Sequence, residues 1–352
     1  YLCEKKMKIN TPKQKYIDLF YCYEIYNSQL HKMWKKKIKI LPKWILYPIF
    51  ITNRFFSKFF FNLKKFEVGN NSYGDRDIHN LYARAKIHLK FTLEEEKKGE
   101  EYLAKFNLTK NSKFVAISVR DKTYLERLNI SNNWDYHHYR NQDINVFKLA
   151  TEELTRRGYH VFVMGALGSN ELKTQNKKII NYGNSNLKSD FLDIYLSAKC
   201  TFFISAQTGL DAIPRAFRKP ILTVISMVNE ITEYSEKEFI LIRPQLKIIE
   251  NRILKLNEIL SIPFKEQEVT LENYKVKAND IKHLDSSPEE IRDITIEVMN
   301  RLEGKWHPKI DDELLQNKFW KKFREKYDIK FKLPDVINAK IGAVFLRKNL
   351  NL

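Results

Sequence analysis

Arg120-Asp121, Gly165-Ala166-Leu167-Gly168-Ser169 and Ser205-Ala206-Gln207-Thr208-Gly209 each follow a short apolar run, and each carries groups suited to an anion. A guanidinium supplies bidentate donors, and turns opening helices present oriented backbone amides; a pyrophosphate can be neutralised that way without a metal. On this reading Arg120, Gly165, Gly168, Ser169, Ser205, Gln207, Thr208, Gly209 and Leu210 hold the anion. An arginine paired with a carboxylate, holding only the fold, is the alternative for Arg120. Asp121 suits a general base or an N-cap. His137 and His138 are further candidate bases; adjacent side chains diverge, so the pair makes a poor metal site, and simple solvation is the plainer role. Gly165-x-x-Gly168 is not the dinucleotide fingerprint and no Walker lysine is present, which argues against NAD-dependent and P-loop chemistry. Asp75-Arg76-Asp77 matches the D-x-D pattern of metal-dependent sugar transfer, but no buried strand precedes it, and a solvated loop is the simpler reading.

These residues need a sheet whose carboxyl edge brings them together. Lys113–Val119, His160–Met164, Ile179–Tyr182, Cys200–Ile204, Ile221–Ile225 and Phe239–Ile242 read as strands, several of them continuous apolar runs of the kind buried on both faces. Helical periodicity or caps fall between them: Ile144–Arg157 with Gly158 as C-cap, a polar helix after Ser169, Ser189 capping Phe191–Ala198, Thr208 with Asp211 as a capping-box-like start to the next helix, and Ile248–Leu260. Ser287-Pro288-Glu289-Glu290 opens a helix to about Leu302. Alternation at βαβ spacing predicts a parallel α/β sheet.

The amino-terminal third reads differently. Tyr16–Tyr26 is compatible with a strand, Asn27–Lys37 with a basic amphipathic helix, and Thr92 with Glu95 forms a capping box for a helix to Phe106. Between Ile38 and Phe66, aromatics from Trp44 onward alternate with lysines. Two readings are open: a buried helix pair with basic ends, or an interfacial helix on anionic lipid. A formal charge of +19, from 62 Lys+Arg against 43 Asp+Glu, also points to an anionic partner, unless it reflects lysine-biased usage. Three cysteines without C-x-x-C spacing predict a reducing, cytoplasmic setting. The longest uncharged apolar run, Trp44–Asn53, is about half a bilayer span. The chain begins at Tyr1 rather than a methionine, as a fragment would.

The order SVRD (Ser118–Asp121) with Tyr124-Leu125, YRN (Tyr139–Asn141), VMG (Val163–Gly165), DIYLSAKCTFFIS (Asp193–Ser205) and TGLDAIPRAFRKP (Thr208–Pro220) resembles a little-characterised bacterial family assigned to the GT-B-type glycosyltransferases, with an O-fucosyltransferase-like layout. The resemblance covers most of the chain from about Asn27. It implies a GT-B-like α/β fold: an incomplete acceptor-side domain over residues 1–110, a Rossmann-like nucleotide-sugar domain over 111–305, and a helical tail over 306–352 returning to the amino-terminal domain. It implies transfer of a sugar from a nucleotide-sugar donor to a cell-surface glycan or lipid-linked precursor. The lack of a carboxylate cluster beside the pyrophosphate residues predicts metal-independent transfer, with no cofactor and no nucleic-acid partner expected, and the aromatic, lysine-flanked segment predicts a cytoplasmic protein peripheral on the inner face of the membrane. Tyr124, Tyr139, Arg140 and Asn141 would then line the donor cleft. Two departures are visible. Val163 stands where the family tends to carry an arginine before the Met-Gly pair, and the first strands of the amino-terminal half are missing before Tyr16. The alternative from another class is a non-catalytic nucleotide- or nucleic-acid-binding Rossmann-like protein with a basic surface.

Overall fold

The structure is a computed structural model. It describes residues 1–9, 11–60, 63, 66–68, 76–121, 139–232, 234–262 and 280–349. Seven strands form its central sheet: β1 (Phe114–Val119), β2 (His160–Met164), β3 (Ile179–Ile180), β4 (Phe202–Ala206), β5 (Ile221–Ile225), β6 (Glu238–Ile242) and β7 (Lys340–Ile341). Their order is β7-β6-β5-β4-β1-β2-β3, and every neighbouring pair is parallel. The fold is therefore α/β with a Rossmann-type doubly wound sheet, as the alternation of apolar runs and helical segments predicts.

Both faces of the sheet are covered, which explains why its strands read as unbroken apolar runs. Val115, Ile117, Val161, Val163, Phe202 and Ile204 enter one core, together with Leu154, Ile291 and Val298 from helices Lys148–Arg156 and Pro288–Leu302. The intervening residues Phe114, Ala116, Phe162, Met164 and Phe203 enter the other, against Leu103 of helix Leu93–Lys105 and Leu192 and Leu196 of helix Asp190–Lys199. Local caps set where these helices start. Ser189 Oγ accepts the Leu192 amide, and Ser287 and Glu290 form a reciprocal box with Pro288 in the first turn.

Three expectations need correction. The polar helix after Ser169 does not form; the chain there is irregular, with Leu172 as its buried apolar anchor. Side chains take over the backbone groups a helix would have paired: Asn181 Oδ1 accepts the Leu172 amide and Asn145 Oδ1 that of Lys173. Ile248–Leu260 is not one helix. Gln245–Lys247 and Arg252–Ile253 are antiparallel strands joined by Ile281–His283, and only Leu256–Ser261 is helical. Tyr16–Tyr26 contributes just Leu19–Phe20, paired in parallel with Lys39–Ile40. Beyond residue 305, helix Asp312–Phe331 and Ala343–Asn349 pack around β7 at the sheet edge, and Asn80 Nδ2 reaches the Val336 carbonyl from the amino-terminal part.

Helix Ser28–Lys35, capped by Asn27, docks on the sheet domain through Glu95. This buried carboxylate accepts Gln29 Nε2 at 3.0 Å and the Thr92 amide at 2.9 Å, with Lys32 and Lys36 at 3.3 and 3.8 Å. Burial alone would raise its pKa; the bonds from Gln29 and Thr92 and the two lysines outweigh burial and hold it at about 2 against an ordinary 4.5. A folded-state pKa below the unfolded one stabilises above about pH 4.5, and that contribution is lost as pH falls toward 2. Acid titration followed by circular dichroism should therefore show a loss of stability in that window that is smaller in Glu95→Gln.

Candidate functional site

The strand order fixes where a ligand can enter. β1 runs to β2 and β3 on one side, while the chain crosses over to β4, β5 and β6 on the other, so the connections diverge between β1 and β4. In open parallel sheets the crevice beyond the carboxyl ends at such a switch point is the ligand-binding position. Here its lips are Arg120-Asp121 after β1 and Gln207-Thr208 after β4, with the Gly165–Ser169 turn after the neighbouring β2. The three segments singled out in the sequence therefore do lie side by side.

The β1–β2 side is tied together by Asp121. Its carboxylate accepts the Asn170 amide at 3.0 Å and Ser169 Oγ at 3.4 Å. Gly168 takes φ +83, and its amide donates to Asn184 Oδ1 at 2.6 Å. Gly165 is approached by backbone: a Cβ on Gly183 would stand 3.1 Å from the Gly165 nitrogen. Because no helix follows this turn, it cannot supply the helix-end amides expected of it.

On the β4 side, Ser205 is fully buried and donates to Asp211 Oδ2 at 2.8 Å, and Arg215 Nη1 meets Asp211 Oδ1 at 2.8 Å. Asp211 thus serves the interior, and Ser205 Oγ, which also accepts the Thr208 amide at 3.4 Å, holds the turn from within. Thr208 does not cap the next helix by its side chain; its Oγ1 is buried and finds no hydrogen-bond partner among the described residues, and the segment starts as a 3-10 turn, Gly209–Asp211, before the five-residue helix Ala212–Ala216. Among the described residues a Cβ at Gly209 would have nothing within 4 Å, and its φ is not in the left-handed region. Leu210 packs its side chain on the core, so only its backbone faces outward.

Beneath the crevice lies a polar network whose centre, Glu230, no motif marked. Tyr139 Oη donates to Glu230 Oε1 at 2.5 Å, Arg140 Nε donates to the same oxygen at 3.0 Å, and Gln207 Nε2 donates to Oε2 at 2.5 Å. Gln207 is held for this in a left-handed conformation, φ 54, with Oε1 accepting the Ser226 amide at 2.9 Å. Burial first, then Glu230, raises the Tyr139 phenol, so its hydroxyl stays a donor. Arg140 spends its charge on Glu230, whose pull keeps its pKa raised against the opposing effect of burial.

Arg243, 2 % exposed, supports this layer from below. It donates to the carbonyls of Leu284 and Tyr139 at 2.8 Å each, to Ser226 Oγ at 3.0 Å and to Asp285 at 2.9 Å. Burial lowers its pKa, with Asp285 and Glu230 opposing. One residue past Asn141, Gln142 is buried, and among the described residues neither carboxamide atom finds a partner. Glu230 and Arg243 each follow a buried strand by one to five residues, the only trace of them in the sequence.

Tyr124, His137 and His138 lie outside the described residues, as does Asp75 of the D-x-D tripeptide. Asp77, its other carboxylate, is buried and accepts the amides of Leu81 and Tyr82 at 2.7 and 2.9 Å, capping a short helix. Among the described residues no three His, Cys, Asp or Glu side chains form a group able to hold a metal ion.

No protein-family model matches the chain, and no curated protein matches it. Among solved structures it is similar to the E. coli ADP-heptose LPS heptosyltransferase II, at 16% identity and a TM-score of 0.29 over 53% of this chain and 52% of that one. The chain thus spans about half the length of that enzyme, and at this level of likeness the fold assignment rests on the strand pairing itself.

Proposed function

We propose that the chain is a GT-B-like glycosyltransferase, moving a sugar from a nucleotide-sugar donor to a glycan or lipid-linked acceptor, with the donor diphosphate across the β1–β4 crevice. The observation that carries this reading is the switch point itself, lipped by an arginine on one side and, on the other, a glycine turn that no described residue obstructs. The order of the quoted motifs supports it, and the Gln142 carboxamide, without a partner among the described residues, offers a donor and an acceptor of the kind a nucleobase edge needs.

In the proposed reaction the acceptor hydroxyl oxygen bonds to the anomeric carbon as the bond to the diphosphate oxygen breaks. Arg120 and the amides of Gly209 and Leu210 stabilise charge growing on the leaving group. The hydroxyl proton passes to Asp121, or to His137 or His138, if the reaction inverts. Residues 1–110 would face the acceptor, 111–305 the donor, and 306–352 would join the two. The basic surface favours the second reading, a non-catalytic nucleotide- or nucleic-acid-binding protein; steep salt dependence toward an oligonucleotide would select it.

Gly209→Val tests the site. Among the described residues no atom lies within 4 Å of the new Cβ, so stability should change by less than about 1 kcal/mol. Nucleoside-diphosphate affinity, measured by thermal shift and calorimetry with EDTA present, should fall about a hundredfold, the scale of a lost charged contact. Unaltered affinity in the folded variant would remove this turn from the site, and binding abolished by EDTA would overturn the metal-free account.

A further inference from the structure

Helix Lys43–Phe56 buries one residue, Leu46. The side that meets the protein carries Tyr47 and Phe50, packed on Tyr21, with Lys43 above the Tyr23 ring at 4.3 Å and Arg54 near Phe50 at 6.0 Å. The other side is turned to solvent, and it is the more apolar of the two. Trp44, Ile51 and Phe55 follow one line at i, i+7 and i+11 and are 78%, 43% and 56% exposed, with Ile45, Ile49 and Phe56 beside them. Phe59 and Phe60 extend the patch past the helix end at 71% and 62%. An apolar face this continuous is not ordinary surface. The buried helix pair expected as one alternative is therefore not found among the described residues.

Charge decides what covers it. From Ile25 to Phe66 the sequence holds ten lysines and arginines and no acidic residue. Lys32 and Lys36 are turned to Glu95, but Lys35, Lys37, Lys43, Arg54 and Lys58 are exposed. A second copy of this chain would bring like charges together. Single-stranded nucleic acid would stack on aromatic rings, yet Ile45, Ile49 and Ile51 offer no π-face. Aromatic and aliphatic anchors on one helical face, with lysines at its margin, match the boundary between headgroup and acyl chain of an anionic bilayer. At 14 residues the helix is about 21 Å long, too short to cross, and no helix among the described residues is long and apolar enough to span.

We propose that the outer face of helix Lys43–Phe56, continued by Phe59 and Phe60, docks the protein in the plane of an anionic membrane. The inference does not depend on the glycosyltransferase reading, because it uses no residue of the crevice. The test is co-sedimentation of the full chain with vesicles of phosphatidylglycerol and phosphatidylcholine, against phosphatidylcholine alone. The protein should pellet with the mixed vesicles only, and less in high salt. The variant Trp44→Ser/Phe55→Ser/Phe59→Ser changes exposed side chains, should keep its circular dichroism, and should lose about a hundredfold in partitioning. Lys35→Gln/Lys37→Gln should lose about thirtyfold, at the contribution typical of a basic residue near an anionic surface. Equal pelleting with both vesicles, or none with either, overturns the proposal. So does undiminished binding by the folded aromatic variant, a dimer in sedimentation velocity that this variant abolishes, or binding to single-stranded oligonucleotide in place of vesicles.

Discussion

Arg243→Met should lower stability by about 3–5 kcal/mol, because it strands partners rather than merely removing a contact. The arginine is 2 % exposed and holds the Leu284 and Tyr139 carbonyls, Ser226 Oγ and Asp285 at once. Methionine fills similar volume but takes the side-chain donor from the Leu284 carbonyl and Ser226 Oγ, leaves the Tyr139 carbonyl with Ser226 Oγ alone, and removes the cation beside Asp285. Thermal unfolding by calorimetry should show the midpoint fall by roughly 10 °C. The Tyr139 carbonyl is anchored by Arg243, with Ser226 Oγ donating to it as well, so the turn carrying Tyr139, Arg140 and Asn141 should loosen. Arg243→Lys should recover part of the loss, since an ammonium has three donors and no fixed fork. A midpoint unchanged in Arg243→Met would show that the layer beneath the crevice is held by something else.

Gly99→Ala should destabilise by about 2 kcal/mol, the opposite sign from the usual glycine-to-alanine change inside a helix, which gains about 1 kcal/mol. Gly99 lies in helix Leu93–Lys105 where Tyr195 presses against it, and an ideal Cβ would stand 2.1 Å from the Tyr195 ring. That ring has little room to move: it is 2 % exposed and lies 5.2 Å from Phe91 and 5.6 Å from Phe191. The clash must push Tyr195 or the helix away from the sheet. Denaturant unfolding of Gly99→Ala, Tyr195→Leu and the double variant separates the causes. If the clash is responsible, the double variant is more stable than the sum of the single losses implies. Additive losses would mean that the glycine is required for another reason.

Much of the sheet domain was legible because its signals are local. A cap is settled by side chains three residues apart, so Ser189, Ser287 with Glu290, and Thr92 with Glu95 stand where their spacing says. His160–Met164 and Ile221–Ile225 are strands over the residues read from their apolar runs, since burial on both faces leaves an unbroken apolar signature. The convergence of Arg120, Gly165 and Gln207 also followed, because turns after parallel strands share one edge.

The remainder depended on partners far along the chain. A polar stretch such as Ser169–Gln175 can be helical or irregular, and what decided it was side chains from elsewhere, Asn145, Asn181 and Asp121, taking its amides. Nothing near Glu230 in sequence says that Tyr139, Arg140 and Gln207 all point at it; that meeting exists because β1, β4 and β5 lie near one another in the sheet. By itself the sequence determined that helix Lys43–Phe56 has an apolar side and basic neighbours. Which side faces the protein was settled only in the tertiary structure, where Tyr21 and Tyr23 meet the face of Tyr47 and Phe50 and leave Trp44 and Phe55 outside. Periodicity specifies a face, but only the surface that meets it specifies whether that face is core or boundary.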